Sequence, residues 1–158
     1  MSTSRGSARD VPGPEDSSAD DGASFDRNLV VVATPYEGAE RGASFALIRE
    51  ACAGLGLRAH RLEQGPGAGV TLRQIADLVR RAEFLVFDVS RCQSHVYYAL
   101  GYAHGVGNEA ADILLIAQEG SEPDFELLPA RVRSYRSVEH VRTILADSLR
   151  EMMSHTRG

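Results

Sequence analysis

Apolar residues fall along this chain in short runs, separated by stretches in which they recur every three or four positions, and that alternation predicts strands and helices in turn. Leu29 to Ala33 reads as a first strand, and Ser44 to Leu55 as a helix turning Phe45, Leu47, Ile48 and Cys52 inward. Leu57 to Leu62 follows as a second strand, with Gly54 and Gly56 bracketing the turn before it. After the GPGAG loop, Thr71 is placed to cap a helix that runs to about Ala82 through Leu72, Ile75, Leu78 and Val79. Phe84 to Phe87 is a third strand closed by Asp88, and Ser94 is the expected N-cap of a helix reaching Gly105 or Gly107. Strands at Ile113 to Ala117 and Val132 to Tyr135, then a helix from Ser137 to about Met152, complete the pattern.

Strands that alternate with helices pair in parallel, with both faces of the sheet covered. The expected fold is therefore α/β: a flavodoxin-like three-layer sandwich of about five parallel strands and about five helices. In such sheets ligands bind outside the carboxyl ends of the strands, at the point where the strand order reverses. That rule gathers three loops: Thr34 to Gly42, Glu63 to Val70, and Val89 to Ser94.

With 158 residues, 43% of them hydrophobic, the chain has material for one core, assigned to residues 27–158. Residues 1–26 are rich in Ser, Gly, Asp and Pro and poor in large apolar side chains, so they are expected to form a disordered acidic tail. The net charge of −5 is concentrated there, which leaves the domain near neutral and argues against nucleic acid or an anionic membrane as partner. All 17 basic residues are arginines, and the absence of lysine removes Schiff-base chemistry and the lysine-dependent phosphate loop. Cys52 and Cys92 lack the paired spacing of a zinc site, so no metal and no resident cofactor are expected. Neither a signal peptide nor a membrane span is indicated, and a soluble, cytoplasmic protein is the expectation.

Several residues invite chemistry and are weighed against plainer roles. Thr34, Pro35 and Tyr36 open the first loop, where backbone N–H groups before a helix suit an anion and Tyr36 suits stacking on a base. GPGAGV at Gly65 to Val70 is a poor dinucleotide fingerprint, because it follows the second strand and ends in Val70, so a loop covering the cleft is the better reading. Asp88 is either an acceptor for a ligand hydroxyl or a cap for nearby N–H groups. His95 lies at a helix start, which disfavours its cation and leaves a neutral donor or acceptor, and it shares a face with Ala99 four residues on. Cys92 before that helix is a weak nucleophile candidate, since no orienting partner is evident. Arg131, Arg133 and Arg136 fit a solvated edge strand better than an anion site. A phospho-receiver is excluded by the ATPY strand end and the missing lysine, and a flavodoxin by a first loop that is not Ser/Thr-rich.

The text AEFLVFDVSRCQSHVYYALGYAHGVGNEAADILLI, together with VVVATPYEG, resembles the nucleoside 2-deoxyribosyltransferase-like superfamily, a relative of TIR-type domains, over roughly Asn28 to Met152. The combination of strand, Asp, helix and LGxAH carries the likeness. It implies that Thr34, Pro35, Tyr36, Asp88, Ser90, Ser94 and position 99 bind ligand, that the loop at Gly65 covers it, and that His104 sits away from the cleft in packing or an internal hydrogen bond. The chain departs from the family where its chemistry lies: Ser94 and His95 replace an asparagine pair, and Ala99 replaces the glutamate that acts at the sugar carbon. An alanine methyl cannot act as nucleophile. A decayed enzyme, a relocated catalytic acid and an alanine introduced in place of glutamate are the alternatives.

The expected function is recognition of a nucleoside, nucleotide or NAD-like small molecule without the standard glycosidic chemistry, a setting the resemblance links to bacterial signalling or defence. An active N-glycosidase or deoxyribosyltransferase would need a replacement acid or base, for which Asp88, His95, Glu37 and Glu40 are the candidates. A third class is an assembly module, a homo-oligomer joined through the helix that carries Tyr97 and Tyr102.

Overall fold

The computed structural model describes residues 24–34, 40–63, 71–91, 93–121 and 132–158, with backbone alone at 40–43. The expectations for the tail at 1–23, for Pro35, Tyr36 and Glu37, for the loop at Gly65, for Cys92 and for Arg131 therefore lie outside the described residues. In chain order the elements are β1 (Asp26–Ala33), α1 (Glu40–Ala53), β2 (Arg58–Arg61), α2 (Leu72–Arg81), β3 (Ala82–Asp88), α3 (Ser94–Gly105), β4 (Ile113–Gln118), β5 (Val132–Tyr135) and α4 (Val138–Arg157).

All four strand pairings are parallel, and the five strands run in the order β2-β1-β3-β4-β5. This is the flavodoxin-like order, whose reversal lies between β1 and β3. Side chains that alternate along each strand feed two cores. Val31, Ala33, Leu85, Phe87, Leu115 and Ala117 pack beneath α2 and α3, against Ile75, Val79, Val96, Ala99, Leu100 and Ala103. Val30, Val32, Phe84, Val86, Leu114 and Ile116 face the other way, onto Ile48 and Cys52 of α1 and Val141, Leu145 and Leu149 of α4. The central strands read as unbroken apolar runs because both of their faces are buried. Each large side chain enclosed in this way contributes roughly 1.5–3 kcal/mol of transfer free energy.

Local signals fix the helix ends. Thr71 closes a capping box: its Oγ1 accepts from Gln74 N at 3.2 Å, and Gln74 Oε1 accepts from Thr71 N at 2.9 Å. Ser137 caps α4 by accepting from His140 N at 3.2 Å, while His140 Nδ1 accepts from Arg136 N at 3.1 Å. Gly56 makes the turn from α1 into β2 at φ 74°, a region that only glycine enters without strain.

Three expectations need correction. The N-cap of α3 is Gln93, which makes no side-chain cap bond, and Ser94 is already helical. Asp26, counted with the tail, opens β1 and pairs with Arg58. Finally, α4 continues past Met152 because Arg157 is anchored: its Nε and Nη2 donate to buried Glu83 at 3.0 and 2.6 Å, and Nη2 reaches the Arg27 carbonyl at 2.5 Å.

Candidate functional site

The carboxyl edge of the sheet carries two polar clusters, one on each side of the β1/β3 reversal. On the β3 side, Asp88 ends its strand with a carboxylate that is 7% exposed. Its Oδ1 accepts from Ser90 N at 3.0 Å and from Ser90 Oγ at 2.5 Å, and its Oδ2 accepts from Tyr135 Oη at 2.8 Å. Ser90 Oγ in turn accepts from Gln118 N at 2.7 Å, so the cluster binds the ends of β3, β4 and β5 together. Burial, with the Asp88 charge beside it, pushes the Tyr135 phenol up to about 12. These bonds to a loop N–H and two O–H groups are the capping arrangement, one of the two roles foreseen for Asp88.

On the β1 side, Thr34 follows β1, Glu63 stands two residues after β2, and His95 is the second residue of α3. Glu63 Oε1 accepts from Thr34 N at 2.9 Å and contacts His95 Nε2 at 2.8 Å. His95 Nε2 also lies 3.4 Å from the Thr34 carbonyl oxygen. With the carboxylate ionised, both neighbours of Nε2 are acceptors, so this nitrogen carries a proton and Glu63 fixes the orientation and tautomer of the ring. The Glu63 side chain is fully covered, and that of His95 keeps 12% of its surface exposed. Thr34 Oγ1 is buried and makes no hydrogen bond among the described residues. Most buried hydroxyls are paired, so an unpaired one beside a switch point marks a ligand candidate.

The other predicted residues divide. Ser90 belongs to the Asp88 cluster, Ser94 is exposed on α3, and Glu40 begins α1. Ala99 is 0% exposed inside the core beneath α3 and presents nothing to an open cleft. His104 is exposed rather than packed, because the last turn of α3 rotates it away from the sheet. Tyr97 and Tyr102 lie against the core of their own chain, and Tyr98, 45% exposed, is the outward tyrosine of α3. Arg133 pairs with Glu151, and Arg136 with Glu119.

Sequence reasoning missed Glu63 and Tyr135. The signal for Glu63 is an acid at the carboxyl end of the second strand, where nucleotide-binding α/β sheets commonly hold a ribose hydroxyl. Tyr135 becomes visible only once the order β3-β4-β5 is known. Two open surface hollows of about 480 and 410 Å³ lie elsewhere, along α1 with α4 and beside a short 3-10 turn at Ala110–Asp112. Their rims carry the exposed Arg142–Glu50 and Arg133–Glu151 ion pairs, and neither holds a buried unpaired polar atom. Among the described residues no group of three or more His, Cys, Asp or Glu is placed to hold a metal ion, and no helix is long and apolar enough to cross a membrane.

No protein-family profile matches the chain, and no curated protein matches it. Among solved structures it is similar to the constitutive lysine decarboxylase of E. coli, with 10% identity, a TM-score of 0.47, and 81% of this chain covered against 18% of the decarboxylase. It is also similar to a diflavin flavoprotein A3 from Nostoc sp., with 17% identity, a TM-score of 0.48, and coverage of 80% and 96% of the two chains. The class that the strand order defines is a flavodoxin-like α/β domain. Likenesses this distant add nothing to it about ligand or activity.

Proposed function

We propose that the protein is a nucleoside- or nucleotide-binding domain of the deoxyribosyltransferase-like class that has lost the standard glycosidic chemistry. One observation carries this reading: at the β1/β3 reversal, Thr34, Glu63 and His95 form a polar cluster that includes a buried hydroxyl without a partner among the described residues. Such a group is stabilised when a ligand supplies its missing hydrogen bond. Ala99, where the resemblance calls for a glutamate, removes the nucleophile, and recognition remains. The class fits a role in bacterial signalling or defence.

A second reading is N-glycosidic cleavage of a nucleoside or NAD by a relocated acid or base. The Glu63–His95 pair favours it, being an oriented carboxylate and imidazole at the same edge, whereas Asp88 directs both oxygens at protein donors. The test is a thermal-shift screen of nucleosides, nucleotides, NAD and cyclic dinucleotides, with product analysis of each incubation. Stabilisation that grows with ligand concentration, without products, supports recognition. Products from the wild type transfer the assignment to the second reading, and no shift with any compound overturns both.

A further inference from the structure

We infer that Thr34, Glu63 and His95 form a subsite for a ribose hydroxyl, so that the ligand is a ribonucleoside or ribonucleotide and its 2′-deoxy counterpart is rejected. The inference rests on the nucleotide-binding reading above and specifies which part of the ligand the cluster meets. Its first support is position. Glu63 stands two residues after β2, at the carboxyl edge beside the β1/β3 reversal where ligands bind in such sheets, and there it holds Thr34 and His95 together.

The second support is the state of the three side chains. Thr34 is 6% exposed, and its Oγ1 is buried without a hydrogen bond among the described residues, although its own N–H is held by Glu63 Oε1 at 2.9 Å. A hydroxyl is both donor and acceptor, which suits another hydroxyl better than it suits a phosphate or a cation. Glu63 is covered, so it acts as the positioning residue: it pins the Thr34 backbone and the His95 ring together at 2.9 and 2.8 Å. His95 retains the surface that a ligand touches. The atoms the cluster presents are a hydroxyl and an imidazole already held by Glu63, which suit a sugar hydroxyl.

Sites built to hydrogen-bond a hydroxyl discriminate strongly against ligands that lack it, because the buried protein group is then left unpaired. The experiment is isothermal titration of the full chain with adenosine, guanosine, cytidine, uridine, their 5′-monophosphates and the 2′-deoxy form of each. Wild type, Thr34→Val, Thr34→Ser and Glu63→Gln are compared, with each fold checked by circular dichroism. The expected result is binding of at least one ribo compound with its 2′-deoxy form weaker by about tenfold or more. Thr34→Val, which keeps shape and loses the hydroxyl, equalises the two ligands, and Thr34→Ser keeps the preference. Equal affinity of wild type for ribo and deoxyribo forms overturns the inference and leaves the nucleotide reading standing, as does a preference that survives Thr34→Val. Binding of none of these compounds overturns the inference, and, with no thermal shift from NAD or a cyclic dinucleotide either, the nucleotide reading as well.

Discussion

Tyr135, the last residue of β5, donates its phenolic hydrogen to Asp88, the last residue of β3, over 2.8 Å and across the end of β4. The single hydrogen of Ser90 Oγ also goes to Asp88, so the 3.2 Å contact between Ser90 Oγ and Tyr135 Oη has no hydrogen of its own. One carboxylate thus organises three strand ends. Tyr135→Phe removes one bond to a charged acceptor and is expected to cost about 1.5–3 kcal/mol in urea unfolding. Asp88→Ala strands the Ser90 amide, the Ser90 hydroxyl and Tyr135 together, so it should lower stability more than Tyr135→Phe does. Equal losses would show that Asp88 is not the hub of this cluster.

Alkaline pH should weaken the fold through two groups. Cys52, free and buried beneath α1, has its thiol pushed up by burial from 9.0 to about 12, and Tyr135 rises from 10.0 to about 12. Both hold their protons more tightly in the native state than in the unfolded chain, so the native state binds more protons as pH rises and the unfolding free energy falls. The associated stability is fully present below about pH 9 and is lost progressively toward pH 12. Denaturant titrations from pH 8 to 11 should show that decline, with a shallower slope in Tyr135→Phe. In the native protein at pH 8, Cys52 should resist alkylation until denaturant is added.

Ala99→Glu, the substitution that restores the family residue, is expected to destabilise and not to create turnover. Position 99 lies in the core beneath α3, and an uncompensated buried carboxylate costs on the order of 3–5 kcal/mol. A variant as stable as wild type would mean that position 99 opens onto the cleft after all.

At the amino end of the sheet, Arg157 should act as a latch for α4. Its two bonds to buried Glu83 form a fork that lysine cannot reproduce. Arg157→Ala should cost about 1–3 kcal/mol by leaving Glu83 unpaired, and Arg157→Lys should recover only part of that loss. Faster amide hydrogen exchange in the last two turns of α4 is the local readout.

The sheet was legible because its residues carry a period that no neighbour can mimic: VVV in β1, FLVF in β3 and ILLI in β4 are apolar on both faces, and only a central parallel strand buries both. The Val132–Tyr135 strand, the Thr71 cap and the helix opening near Ser137 were readable from local chemistry alone. The site was legible only as a place. Asp88, Ser90, Thr34 and His95 all reach the carboxyl edge, yet their partners Glu63, Gln118 and Tyr135 come from just after β2 and from the ends of β4 and β5, at separations of 28 to 47 positions. Glu63 looked like a loop residue until strand order set β2 beside β1. Ala99 reads from the sequence as the place of a missing glutamate, and packing sets its methyl in the core beneath α3.

Amide chemical-shift mapping during titration with the nucleotide that binds best locates the ligand most directly. Shifts at Thr34, Glu63, Ser90 and His95 that saturate at one common ligand concentration are the predicted result. Saturating shifts confined to Glu50, Arg142 and Asp147 along α1 and α4, with the carboxyl edge unmoved, would contradict a nucleotide site at the β1/β3 reversal.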